Sequence, residues 1–257
     1  MATPAEPPVN PNESDEIEID LRPPAEVVAR LLLLAVVLRR AYLETGRLAP
    51  EDDPTGERFD LAAWAGAEGL LDHATPTERE FVRAPLGSLP ADAVSDATWQ
   101  AEALSALGWA LGLVPALPRE PVPTDPGLLL ASLPVPWDST RPVFDGATLR
   151  DEESVAVERE RAEIWLWRVE SELAHREGSP AEQREIEAAV REVAADAARA
   201  GLIANLASGD FPFDGRAFRR ASEEALEDVA EVAIRRLRAL NWLCGFGTTW
   251  DDVPLDI

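Results

Sequence analysis

The sequence contains no lysine, and all 24 of its basic residues are arginine. Without lysine the chain has no Walker-type phosphate lysine, no Schiff base to a carbonyl or pyridoxal cofactor, and no serine–lysine nucleophile pair. Its only histidines, His73 and His175, are about a hundred residues apart and form no zinc signature. The single cysteine, Cys244, cannot form an intrachain disulfide. These absences exclude most of the familiar catalytic mechanisms.

Long apolar stretches are also lacking. The longest, from Leu31 to Leu38, covers 8 residues between Arg30 and Arg39, whereas a membrane span needs about 20. The first 20 residues are acidic and proline-rich and have no basic segment, so they do not resemble a signal peptide. We therefore expect a cytoplasmic protein with no membrane association.

Acidic residues outnumber basic ones, 48 to 24, which gives a formal net charge of −24. A charge of this sign and size repels polyphosphate, so we predict no nucleic-acid partner. Two interpretations of the charge stay open. It describes a solvated surface, or it attracts a basic protein partner.

The chain divides by composition near residue 22. Residues 1–22 carry six acids and several prolines, and this pattern predicts a disordered acidic tail. Residues 23–257 hold the apolar patterning and all eight tryptophans, and we expect them to form a single helical domain.

Helical spacing recurs through the rest of the chain, and we find no convincing period-2 strand. Two capping boxes, Thr75–Glu78 and Ser179–Glu182, each carry a proline at the first helical position. The segments predicted as helices are about 24–44, 60–71, 75–82, 96–113, 149–176, 179–206 and 216–243, with residues 115–142 as a proline-rich loop. The predicted fold class is all-α, an irregular bundle of six or seven helices.

The segment from Trp99 to Leu113 places a carboxylate within an apolar helix surface. Glu102 shares its helix face with Trp109. An unpaired buried carboxylate is costly, so Glu102 should have a partner, and we predict Arg236 for that role. The simpler interpretation of the pair is a structural salt bridge between two helices.

The C-terminal segment also places polar and aromatic residues around an apolar helix stripe. Asn241 and Arg236 flank the apolar stripe of the last helix, and Trp242 points away from that stripe. We expect the segment that begins at Trp250 to fold back and cover Trp242. Asp251, Asp252 and Asp256 offer oxygen ligands, but their spacing fits no EF-hand loop, so we predict no metal and no cofactor.

Three stretches together resemble a bacterial family called domain of unknown function 4272. They are LRPPAEVVARLLLLAVVLRRAYLE near the start, WQAEALSALGWALGL, and RLRALNWLCG followed by WDDVPLDI. The chain departs from the family pattern at Arg235, where an acid is expected, and at Ile257, which follows Asp256. The resemblance implies a helical fold and brings no established activity, substrate or cofactor.

Two functional hypotheses follow from the sequence. The first is a non-enzymatic protein-interaction domain, because no complete catalytic or cofactor motif is present. The second is an enzyme or small-ligand binder with an acidic, tryptophan-lined pocket around Glu102 and Arg236. The candidate binding residues are Glu102, Trp109, Arg236, Asn241, Trp242, Trp250, Asp251 and Asp252.

Overall fold

A computed structural model describes residues 19–47 and 53–255. Most of the predicted acidic tail of residues 1–22 lies outside the described residues, and so does Asp256. The few tail residues that are described include Arg22, whose backbone N–H donates to the carbonyl of Leu243 at 2.9 Å.

The described residues are mainly helical, and the predicted all-α irregular bundle is confirmed. The α-helices are α1 Pro24–Thr45, α2 Pro54–Ala67, α3 Pro76–Arg83, α4 Ala91–Ala110, α5 Gly127–Ser132, α6 Arg141–Asp145, α7 Glu152–Glu177, α8 Pro180–Arg199 and α9 Glu223–Leu243. Two 3₁₀ turns occur at Leu70–His73 and Phe218–Arg220. The strands β1 Pro212–Phe213 and β2 Arg216–Ala217 pair antiparallel, with Pro212 opposite Ala217.

Two compact units make up the described chain. The first contains residues 19–20, 118–123 and 152–237, and the second contains residues 21–47, 53–117, 124–151 and 238–255. Helix α9 contributes to both, because the division falls after Leu237. The single domain expected over residues 23–257 stays a prediction.

Helix α1 forms the centre of the second unit. Every residue from Val27 to Ala41 is buried, and the helix packs against α2, α3, α4 and α6. It begins at Pro24, where proline suits a first turn, and ends at Gly46 in the left-handed conformation with φ of 66°. The apolar run in its middle predicts this central position, because a helix that is apolar all round must be covered on every side.

Both predicted capping boxes are confirmed. The side chain of Thr75 accepts from the N–H of Glu78 while the Glu78 carboxylate accepts from the N–H of Thr75. Ser179 and Glu182 form the same reciprocal pair at the start of α8. Each box satisfies N–H groups that have no partner within the helix.

The region predicted as a loop, residues 115–142, contains the short helix α5 and the start of α6. The contact that holds α5 is distant in sequence. Arg39 of α1 donates from Nη2 to the carbonyls of Leu130 and Leu133, at 2.8 and 3.2 Å. A buried arginine thus satisfies carbonyls at the end of α5, which local periodicity does not reveal.

The last helix begins at Glu223, seven residues later than predicted. Asp214 and Gly215 adopt positive φ values of 48° and 69° and form the turn between β1 and β2. Asp-Gly is a strong signal for such a hairpin turn. The prediction missed it because the apolar residues after the turn continue the helical spacing of α9.

A buried ion pair organises the first unit. Arg168 of α7 donates from Nε and Nη2 to the two carboxylate oxygens of Asp210, at 2.8 and 3.0 Å, and Nη2 also contacts Glu172 at 3.0 Å. Asp210 also accepts from the N–H groups of Phe211 and Arg219. Burial alone would raise the pKa of Asp210, but the hydrogen bonds and charge of Arg168 and the two N–H donors outweigh it and hold the pKa below its ordinary value.

Candidate functional site

A cavity of about 330 Å³ lies within the second unit. Its walls come from the first turns of α1, the turn that leads into α3, the end of α9 and the segment after α9. The lining residues are Glu26, Arg30, His73, Ala74, Thr75, Pro76, Trp242, Thr248, Thr249, Trp250 and Asp251. The cavity thus joins parts of the chain more than two hundred residues apart in sequence.

Arg30 is the buried cation of this pocket, with 3% of its surface exposed. Its Nη1 donates to Glu78 Oε2 at 3.0 Å and its Nη2 donates to Glu78 Oε1, so both oxygens of one carboxylate are engaged. Its Nε is buried and has no hydrogen-bond partner within the described part of the chain. Burial lowers the pKa of Arg30, and the hydrogen bonds and charge of Glu78 offset part of that effect.

Two tryptophans form an aromatic wall. The rings of Trp242 and Trp250 meet edge to face, with centroids 5.6 Å apart and planes at 70°. Each indole is also covered by a guanidinium: the Cζ atom of Arg30 lies 4.0 Å from the Trp250 centroid, and that of Arg22 lies 4.7 Å from the Trp242 centroid. The predicted covering of Trp242 by the C-terminal segment is confirmed. Such cation–π contacts fix the rings in place.

The segment after α9 is held at both of its ends. Arg22 donates from Nε to the carbonyl of Trp242 and from Nη2 to that of Gly247, both at 2.7 Å. Asn241, which is fully buried, donates from Nδ2 to the carbonyl of Pro254 at 2.8 Å. These contacts hold the pocket wall against the end of the helix.

Gly247 makes the return of that segment possible. Its φ is +76°, and an added Cβ would lie 3.0 Å from Val253 Cα and 3.1 Å from the Asp252 carbonyl oxygen. Only glycine suits both the left-handed backbone and this close approach.

Two of the acidic residues near the cavity have different environments. Asp252 accepts from Thr248 Oγ1 and from the N–H of Thr249, both at 2.6 Å, and these hydrogen bonds lower its pKa. Asp251 lines the cavity and is exposed, and its charge acts on Arg30. Asp252 therefore stabilises the turn, whereas Asp251 faces the space that a ligand would fill.

The structure brings part of the predicted site together. Trp242, Trp250 and Asp251 line the cavity, while Asn241 and Asp252 hold its wall. The roles of these residues in binding stay predictions.

Two other predicted residues lie in the second unit but do not line this cavity. Glu102 is buried and accepts from the N–H and the hydroxyl of Thr124, at 2.5 and 3.1 Å. Trp109 is buried with the Cζ atom of Arg150 5.0 Å from its ring centroid.

Arg236 belongs to the first unit. It donates from Nη1 to the carbonyl of Pro118 at 3.3 Å and from Nη2 to that of Val122 at 3.0 Å. The ion pair between Glu102 and Arg236 stays a prediction.

Sequence reasoning missed Arg30 and His73, which line the cavity, and Arg22, which covers Trp242 and holds the segment after α9. In the sequence Arg30 stands at the start of the apolar run, and an arginine that continues a fully apolar helix must itself be buried and must have a partner. Glu78, identified as part of a capping box, is that partner.

In residues 19–47 and 53–255, no group of three or more histidine, cysteine, aspartate or glutamate side chains is placed to hold a metal ion. Among the helices of the same residues, none combines the length and apolar character that a membrane span requires.

Comparison with protein-family models finds one family, described as a domain of unknown function (DUF4272), over residues 5–195. That range covers more than half of the chain. The chain belongs to the DUF4272 family. The family match includes Glu26, Arg30 and the turn before α3, whereas Trp242 and Trp250 lie beyond it.

The match ends before RLRALNWLCG and WDDVPLDI, two of the sequence stretches that resemble the family. No curated protein and no solved structure matches this DUF4272 chain.

Proposed function

We propose that this DUF4272 protein binds a small organic molecule in the pocket between α1 and the segment after α9. The observation that carries the proposal is a cavity of about 330 Å³ walled by Trp242 and Trp250 and bordered by the buried Arg30. Small-molecule sites are concave, have volumes of roughly 300–1,000 Å³, and combine aromatic walls with a few polar groups.

The pocket hydroxyls support binding rather than catalysis. Thr75 accepts the N–H of Glu78 in a capping box, and Thr248 donates to Asp252. Both hydroxyls stabilise the backbone around the cavity, and the hydrogen bonds that Asp252 accepts hold the pKa of its carboxyl below its ordinary value, which makes it a weak base toward Thr248.

This proposal keeps the sequence-based hypothesis of an acidic, tryptophan-lined pocket and changes its centre. Arg30, Trp250 and Asp251 take the place that the sequence assigned to Glu102 and Arg236. A cytoplasmic location stays a prediction of the sequence.

The proposal can be tested by following the indole N–H signals of ¹⁵N-labelled protein while a library of small polar compounds is added. The variants Trp242→Phe and Trp250→Phe assign the two pocket signals, and Trp137→Phe assigns an exposed indole outside the cavity. We expect binders to shift the Trp242 and Trp250 signals and to leave the Trp137 signal in place. A library that shifts neither pocket signal would overturn the proposal.

A protein-interaction role is the second candidate, and an exposed apolar segment favours it. Leu128 is 90% exposed and Trp137 is 61% exposed. Trp137 also has φ of 76° in a turn closed by the N–H of Asp138 and the carbonyl of Val135, 2.9 Å apart. A tryptophan held in a strained, solvent-facing position is typical of an anchor for an apolar pocket on a partner.

This second role predicts a Trp137-dependent complex. A partner purified with the wild-type protein should dissociate at least tenfold faster from Trp137→Ala, and Phe59→Ala, another exposed aromatic, serves as the control. Equal dissociation from both variants would contradict a role for Trp137.

A further inference from the structure

Within residues 19–47 and 53–255, the pocket leaves one hydrogen-bond donor and one carboxylate acceptor without a hydrogen-bond partner. One is the donor Arg30 Nε, which belongs to a residue only 3% exposed. The other is the carboxylate of Asp251, which is exposed at the cavity and for which the described structure shows no donor. An unsatisfied buried donor is costly, so a ligand that supplies an acceptor to Arg30 gains free energy from it.

The neighbouring charges are already matched. Glu78 engages both Nη groups of Arg30, and Glu26 accepts from Arg22 Nη1 at 2.7 Å. Among the described residues the Asp251 carboxylate acts on Arg30 through its charge but accepts no hydrogen bond, and it is exposed at the cavity wall. A cationic group on the ligand would match that charge.

An arginine that already holds one carboxylate can bind a second, and this chain contains an example. Arg168 contacts Asp210 and Glu172 at the same time, using Nε toward Asp210 and Nη2 toward both. In Arg30 the Nη groups hold Glu78 and the Nε edge is left. The guanidinium is planar with five fixed donors, so its Nε edge suits another carboxylate.

We propose that the ligand of this pocket is a small zwitterion of the amino-acid type, whose carboxylate binds Arg30 Nε and whose ammonium group binds Asp251. The apolar part of the ligand packs against Trp242 and Trp250. Arg30 Nε is itself buried, so binding of the carboxylate requires the Trp250 indole, which lies over the guanidinium, to move aside. This inference rests on the proposed binding function and names its ligand class.

Calorimetry and the indole N–H spectrum test the inference with the standard L-amino acids, each in its free form. For each amino acid that binds, two blocked forms follow: the N-acetyl form, which lacks the ammonium group, and the amide, which lacks the carboxylate. We expect the free form to bind at least tenfold more tightly than either blocked form, because each charged hydrogen bond contributes about one decade or more.

The variant Asp251→Asn keeps the shape of the wall and removes its charge. It should weaken binding of the free amino acid and of the amide about tenfold and leave the N-acetyl form unchanged. Asp92→Asn makes the same change at an exposed site outside the cavity and should alter none of the three.

The outcomes separate the two proposals. If other compounds shift the Trp242 and Trp250 signals while no amino acid does, or if a blocked form binds as tightly as the free form, the zwitterion inference is wrong and the binding function stands. If no compound of any kind shifts those signals, both proposals fail.

Discussion

Gly247 and Trp137 both have φ values near +76°, but their surroundings give that conformation opposite meanings. At Gly247 the neighbouring backbone leaves no room for a Cβ atom. At Trp137 a large side chain occupies a backbone conformation that glycine adopts at little cost. Position 247 therefore accepts only glycine, whereas position 137 carries a tryptophan in a backbone conformation that tryptophan does not favour.

We predict that Gly247→Ala destabilises the protein by roughly 2–3 kcal/mol, because it adds left-handed strain and a clash with Val253 and Asp252. Gly87→Ala is the matched control, since Gly87 has φ of +78° and nothing within 4 Å of an added Cβ. The control should lose about 1 kcal/mol. Urea unfolding of both variants measures the difference, and equal losses would show that the close approach at Gly247 is unimportant.

Trp137→Gly should stabilise the chain by about 1 kcal/mol, because glycine relieves the positive φ and the indole it removes is mostly exposed. The midpoint of urea unfolding should therefore rise. A fall of similar size would show that the indole packs against the protein, which would weaken the case for Trp137 as an anchor for a partner.

At the scale of the elements, Glu78 connects helix capping to the pocket. Its Oε2 accepts from the N–H of Thr75 and from Arg30 Nη1, both at 3.0 Å. The start of α3 and the guanidinium at the pocket are therefore held by one side chain. Ser179 and Glu182 form the same capping box at α8, where the described residues place no arginine on the Glu182 carboxylate, so the two boxes can be compared.

Glu78→Gln should destabilise the protein by about 3 kcal/mol, the lower end of the range for breaking a buried ion pair. Glu182→Gln should cost much less, because glutamine can still cap a helix and Glu182 pairs with no arginine in the described part of the chain. Thermal or urea unfolding of the two variants tests the comparison. Similar losses would mean that the Arg30 pair adds little to stability.

The elements that the sequence predicted correctly are those specified by neighbouring residues. The capping boxes at Thr75 and Ser179 and the apolar run of α1 are local patterns, and each appeared where it was expected. The pocket depends on Arg30 meeting Trp250, a contact across more than two hundred residues, and no local pattern encodes it. The predicted residues Trp242, Trp250 and Asp251 belong to the pocket because their segment had to fold back over the last helix.

At the scale of the whole molecule, stability at low pH depends on carboxylates that are paired in the folded state, and Asp210 is one of them. Its pKa is held below the ordinary value in the folded protein. A carboxylate with a depressed folded pKa contributes stability that is fully present above its unfolded pKa of about 4. That contribution is lost as the pH falls through the lower folded value.

Asp210→Asn should therefore cost about 3 kcal/mol near neutral pH, because it leaves the buried Arg168 with fewer acceptors. The loss relative to wild type should shrink as the pH falls below about 4. Urea unfolding at a series of pH values from neutral to acid measures this, with Asp214→Asn in the β1–β2 turn as the control. A difference that does not change with pH would contradict the assigned role of Asp210.

The second unit takes its residues from both sides of the first along the chain. During translation, Arg30 and the turn before α3 leave the ribosome long before Trp242 and Trp250 do. The pocket wall therefore cannot form until the residues up to Pro254, which Asn241 holds, have been made. A nascent chain stalled after α8 would carry Arg30 and Glu78 without their aromatic cover, while α1 would already have α2, α3, α4 and α6 to pack against.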